Sequence, residues 1–138
     1  MRPSLLVLLA FTLLAIADRA SACDCVHGTA KQELKEAEAV FLGEVTDIQE
    51  SGSKEYPRLV TLRVEHYWKT KNKKARTVQV LASSLQAGNC PMTLYAGRNL
   101  VYAYRRGVNL VTWTCSRTKP EDEAGQEMKE LGRGFAPR

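Results

Sequence analysis

Four cysteines, Cys23, Cys25, Cys90 and Cys115, carry most of the chemistry visible in this chain. A thiol can ligate a metal, act as a nucleophile or close a disulfide, and spacing and compartment decide among these. The triplet Cys23-Asp24-Cys25 and two lone distant cysteines do not form the paired C-x-x-C knuckles of a structural zinc site. The only histidines are His27 and His66, and neither stands in an H-x-x-x-H or His-Asp-Ser arrangement. His27 reads as a surface residue and His66 as a strand-end residue. The chain has no Gly-rich phosphate loop. These residues argue against an enzyme and assign no catalytic residue.

The residues before Cys23 suggest what its sulfur and its amine are for. Arg2 opens a basic start, Leu5 to Ala17 is almost wholly apolar, and Ala20-Ser21-Ala22 is a small-residue cleavage site. The apolar run falls short of the ~20 residues that cross a bilayer and matches the core of a signal peptide. Residues 1–22 are therefore expected to be removed, leaving 23–138 as one secreted, extracellular domain that begins with Cys23. No later run is apolar enough for a membrane span, and there is no Asn-x-Ser/Thr acceptor.

In an oxidising compartment four cysteines read as two disulfides. A Cys23–Cys25 bridge is disfavoured. An extended C-x-C holds its Cα atoms roughly 6.6–7 Å apart, with both side chains on one face. Each N-terminal cysteine then pairs with a distant one, in either of two arrangements, and each cross-link contributes about 4 kcal/mol in the chain-entropy picture.

The elements that must position these cysteines alternate between strand and turn signals. Thr29 caps a short helix ending near Glu36. Strands are expected over Ala39–Ile48, Arg58–Trp68, Thr77–Leu81, Asn99–Tyr104 and Val108–Cys115. Gly43 marks a bulge or sharp bend in the first. Val60, Leu62 and Val64 share one face of the second. Residues 83–97, which carry Cys90, read as irregular. After Pro120, Glu121 to Leu131 reads as a helix that ends at Gly132, with Glu121, Asp122, Glu123, Glu127 and Glu130 on a solvated face. Trp68 and Trp113 read as core or barrel-end residues. Five strands between two helices make the fold class mainly β, a small five-stranded OB-fold-like barrel.

The order of motifs is specific: a mature C-x-C start, the "AVFLGEV" strand, the "HYWKTK" strand end, a cysteine before a G-x-x-L-V-Y-A strand, then "TCSRTKP" and a helix ending "LGRGF". Over residues 23–138 this resembles the netrin-like domain of the tissue inhibitors of metalloproteinases. The resemblance implies disulfides Cys23–Cys90 and Cys25–Cys115. It also implies a function, inhibition of matrix-type zinc metalloproteinases, with the α-amine and carbonyl oxygen of Cys23 chelating the enzyme's catalytic zinc and displacing its water. The chain would carry no cofactor of its own. The protease-binding edge would comprise Cys23, Asp24, Cys25, Val26 and His27, with Gly88, Asn89 and Cys90 beside them. Anchoring a terminus that otherwise frays is a form of preorganisation.

Three departures from the family accompany the resemblance. Asp24 stands where the family usually has Thr or Ser at the mouth of the enzyme's specificity pocket, and an unpaired buried carboxylate is costly. The family's third disulfide has no cysteines here, and its cysteine-rich C-terminal domain has no counterpart in residues 23–138.

Net charge is +5, and it stays positive without residues 1–22. The run Lys69, Lys71, Lys73, Lys74 and Arg76 follows Tyr67-Trp68 and could serve as a patch for sulfated glycans. Nucleic acid, which aromatic and basic residues on such barrels also bind, is argued against by the secretory signal. The expected state is a monomer. The alternative function is a secreted netrin-like binding module for matrix or sulfated glycan, without inhibitory activity. It could also be lipid-anchored through Cys23, although Ala20 replaces the Leu usual for bacterial lipidation.

Overall fold

The structure is a computed structural model that describes residues 25–26, 28–83, 94 and 96–138. Helix α1 spans Ala30–Glu36. Strands β1 (Ala39–Glu50), β2 (Arg58–Lys69), β3 (Thr77–Ala82), β4 (Arg98–Arg106) and β5 (Asn109–Thr112) follow. The chain then forms a two-residue strand β6 (Lys119–Pro120), a 3-10 turn (Glu121–Glu123) and helix α2 (Gly125–Leu131). No described helix is long and apolar enough to cross a membrane.

The sheet order is β1-β2-β3-β5-β4, and β1 also pairs with β4, so five strands close into a barrel. Every pairing around the ring is antiparallel except β3 with β5. This is an OB-fold-like barrel, mainly β, flanked by two helices. β6 lies outside the ring and pairs with β4.

Alternation explains the interior. Val60, Leu62, Val64, Val80, Ala82, Phe41, Val101 and Ala103 are buried inside the barrel with Tyr67 and Leu94. Register slips between Leu42 and Gly43 of β1, so the facing β2 gains a residue, and Val64 and Tyr67 both point inward despite their odd spacing. Gly43 sits at this bend. A Cβ there would lie 3.2 Å from both the Arg63 carbonyl and the Phe41 ring. The irregularity expected at Gly43 is thus present, but its extra residue, Glu65, is on the facing β2, and the strands approach closely at Gly43.

A second apolar layer lies outside the barrel. Ala37, Val40, Leu100, Tyr102 and Ala124 pack with Leu34, Trp68, Met128 and Leu131 under the two helices. β1 and β4 are therefore buried on both faces, which is why "AVFL" and "LVYA" read as continuous apolar runs rather than alternating ones. α1 is started by a capping box, with the Thr29 hydroxyl accepting from Gln32 N–H and the Gln32 side chain accepting from Thr29 N–H.

The strands β1 to β4 run one or two residues past their expected ends, and two boundaries differ more from the sequence reading. The last barrel strand is only Asn109–Thr112, because the chain turns at Trp113–Ser116, where Ser116 N–H donates to the Trp113 carbonyl at 2.9 Å. The C-terminal helix begins as a 3-10 turn and becomes α-helical only at Gly125, after Ala124.

Leu62 is wholly buried, so Leu62→Ala is expected to lower unfolding free energy by about 2–5 kcal/mol. Val108→Ala, at a residue 89% exposed, should stay within about 0.5 kcal/mol of wild type. Urea unfolding with an unchanged m-value checks both.

Candidate functional site

Of the expected protease-binding edge, Cys25 and Val26 are described, while Cys23, Asp24, His27, Gly88, Asn89 and Cys90 lie outside the described residues, and with them the expected Cys23–Cys90 bridge. Cys25 is bridged to Cys115, with Cα atoms 5.2 Å apart. Val26 is 96% exposed beside that bridge. Among the described residues no group of three or more His, Cys, Asp or Glu could hold a metal ion.

Besides the bridge, a polar network absent from the expected site holds this segment to the barrel. Arg117 donates from Nε to Glu127 Oε1 at 2.6 Å and from Nη2 to Glu127 Oε2 at 3.0 Å. Its third nitrogen, Nη1, donates to the Gly28 carbonyl at 2.8 Å. Lys119 Nζ reaches Glu127 Oε2 at 2.5 Å. On the other side of Gly28, its N–H donates to Glu33 Oε1 at 3.3 Å. The Tyr104 hydroxyl donates to the other Glu33 oxygen. Both polar groups of the Gly28 backbone are thus engaged by charged side chains from different elements.

Glu127 overturns the reading of a solvated acidic face. Asp122, Glu123 and Glu130 are exposed and Glu121 pairs with Arg98, but Glu127 is only 5% exposed, on the face of α2 turned to the barrel. Burial alone would push its carboxyl up. The hydrogen bonds from Arg117 and Lys119 outweigh that and hold it below the ordinary carboxylate value. Burial and the neighbouring Glu127 carboxylate raise the Tyr102 hydroxyl, and burial and Glu33 raise that of Tyr104, so both stay neutral, and Tyr104 donates to Glu33. The signal available in sequence was weak: an acid on α2 flanked by cations at Arg117 and Lys119, with no periodicity to bring them together.

A groove of about 590 Å³ adjoins the disulfide, lined by Tyr56, Tyr104, Arg106, Trp113 and Cys115 among others. Trp113 packs against Tyr104 with ring centroids 4.6 Å apart, at the barrel end. Trp68 is half-buried under the helices and donates its indole N–H to the Gly132 carbonyl at 2.8 Å. His66 meets the Trp68 ring edge-on at 4.8 Å.

The basic run divides. Lys69 Nζ donates to the Lys35 carbonyl at the end of α1, at 2.7 Å, and Lys71 pairs with Glu38 at 2.8 Å. Lys73 lies over the Phe135 ring at 5.6 Å. Lys74 and Arg76 are exposed and in no ion pair among the described residues. The tail crosses β2 here, with Phe135 bridging Tyr67. Only glycine fits at 134, where a Cβ would come within 2.3 Å of the Tyr67 carbonyl.

No protein-family model matches the chain, and no curated protein matches it.

Because the folded-state pKa of Glu127 is depressed, its stabilisation is complete above the unfolded value of about 4.3 and is lost as pH falls through the folded one. Wild type should therefore exceed Glu127→Gln in unfolding free energy by about 3 kcal/mol between pH 5 and pH 8. The gap should begin to shrink below the unfolded value of about 4.3 and disappear as pH falls through the lower folded value. Denaturant titrations across that range check the sign, and a gap unchanged at low pH would contradict it.

Proposed function

We propose that the protein is a secreted inhibitor of zinc metalloproteinases built on a netrin-like barrel. Removal of residues 1–22 frees the α-amine of Cys23, and that amine and the Cys23 carbonyl oxygen chelate the catalytic zinc of the enzyme. The zinc belongs to the enzyme, whose site keeps an open position normally filled by water. A second bridge, Cys23–Cys90, completes the inhibitory edge, with Asp24 directed at the specificity pocket and Val26 and His27 along the cleft.

The observation that carries this reading is the Cys25–Cys115 bridge, which ties the chain to the barrel two residues after Cys23. Gly28, held at both its N–H and its carbonyl, adds a second anchor to the same segment. A segment ordered during folding loses less entropy on binding, which is what a short chelating terminus needs. The closed barrel with flanking helices is the scaffold the family resemblance requires.

The second reading is a netrin-like module that binds matrix or sulfated glycan without inhibiting. It is favoured by the outward cations Lys73, Lys74 and Arg76 and by the carboxylate of Asp24, which disfavours a buried pocket.

N-terminal sequencing of the secreted protein, followed by inhibition assays against a panel of zinc metalloproteinases, separates the two. Inhibition should vanish on acetylation of the Cys23 amine or on adding one alanine before it. It should strengthen from pH 6 to pH 8, because protons compete with zinc for an amine whose ordinary pKa is about 7.7–8.0. Asp24→Thr should tighten it. A free Cys23 amine with no inhibition across the panel, together with salt-sensitive retention on heparin, would favour the second reading.

A further inference from the structure

We infer that Arg117 is a positioning residue that sets the direction in which the N-terminal segment leaves the barrel, so that inhibition depends on its guanidinium geometry as well as on the disulfide. This rests on the inhibitor reading above. Cys115 and Arg117 stand on the same short connection between β5 and β6. That connection carries two anchors for one segment: the bridge to Cys25 and the hydrogen bond to the Gly28 carbonyl. A single disulfide fixes a distance and leaves rotation about its bonds. The second anchor, three residues along the chain, removes that rotation.

The guanidinium is suited to this because it is planar and rigid. Two of its nitrogens are spent on the two oxygens of Glu127. With the plane set in this way, the direction of Nη1 toward Gly28 is also set. Lys119 holds the carboxylate from a further side. The orientation of the Gly28 carbonyl is thus referred to helix α2 through Glu127, and that of its N–H to α1 and β4 through Glu33 and Tyr104. A lysine at 117 could keep the ion pair with Glu127, but as a point charge it could not hold both oxygens and the Gly28 carbonyl in one plane.

Arg117→Lys is therefore the informative variant, with Arg117→Ala as the control for plain loss of stability. The readouts are thermal unfolding, hydrogen exchange over residues 25–31 and the inhibition constant for an enzyme that the wild type inhibits. For Arg117→Lys we expect a melting temperature within a few degrees of wild type, exchange in that segment faster by roughly tenfold, and inhibition weaker by roughly tenfold. Arg117→Ala should lose stability as well. Unchanged exchange in Arg117→Lys would overturn the positioning role. Faster exchange with unchanged inhibition would overturn its inhibitory consequence. If the wild type inhibits no enzyme, the inhibitor reading has failed, and the exchange comparison alone still decides whether Arg117 orders the segment.

Discussion

One guanidinium, together with the Cys25–Cys115 bridge, ties the segment after Cys25 to the rest of the fold. Arg117 spans the gap between the segment after Cys25 and the helix that closes the fold, giving two hydrogen bonds to Glu127 and one to the Gly28 carbonyl. A half-buried cation and a buried carboxylate are costly to desolvate separately. They are tolerated because each is satisfied by several hydrogen bonds of good geometry. Lys119 adds a second cation to the same carboxylate, so the acid is outnumbered and stays ionised. The network joins the segment at Gly28 to helix α2, which no backbone ladder connects.

The barrel supplies the rigid frame for that network. β1 and β4 pair with each other and are buried on both faces, with the barrel interior on one side and the helix layer on the other. α1 and α2 both rest on this doubly buried pair. Glu33 and Glu127, which point from the two helices toward Gly28 and Arg117, are thereby referred to the same two strands. The Thr112, Ser116 and Thr118 hydroxyls form a buried chain in the β5–β6 connection, with 2.8 Å contacts from Thr112 to each of the other two, and Tyr102 N–H donates to Thr118. The connection that carries Cys115 and Arg117 is thus held to β4 by polar contacts as well as by β6.

Much of this was legible from residue type and spacing. Alternation in Arg58–Trp68, the Thr29 cap, the Gly43 irregularity and the stop at Gly132 each follow from local rules, and each element appears where those rules put it. Local rules do less well at the ends. The last barrel strand is shorter than its apolar run, and Pro120 belongs to a strand pairing that no pattern announced. The C-x-C argument excluded a local bridge and left two long-range pairings open. The bridge described joins Cys25 to Cys115, as the family resemblance implied.

The sequence by itself determined the periodicities, the turns and the cysteine count, because these depend on neighbours along the chain and on backbone geometry that is the same in every protein. It also held every residue of the network at Gly28, but in a form that could not be read. Glu127 looks like one of five acids on a surface helix until the helix is docked, and Arg117 looks like one of many cations. Only the tertiary structure decided which acid is buried and which cation meets it, because burial and ion pairing depend on distances between elements far apart in sequence. The basic run shows the same division. Five cations in one loop look equivalent, yet folding spends Lys69 on the end of α1 and Lys71 on Glu38, and leaves Lys74 and Arg76 to solvent.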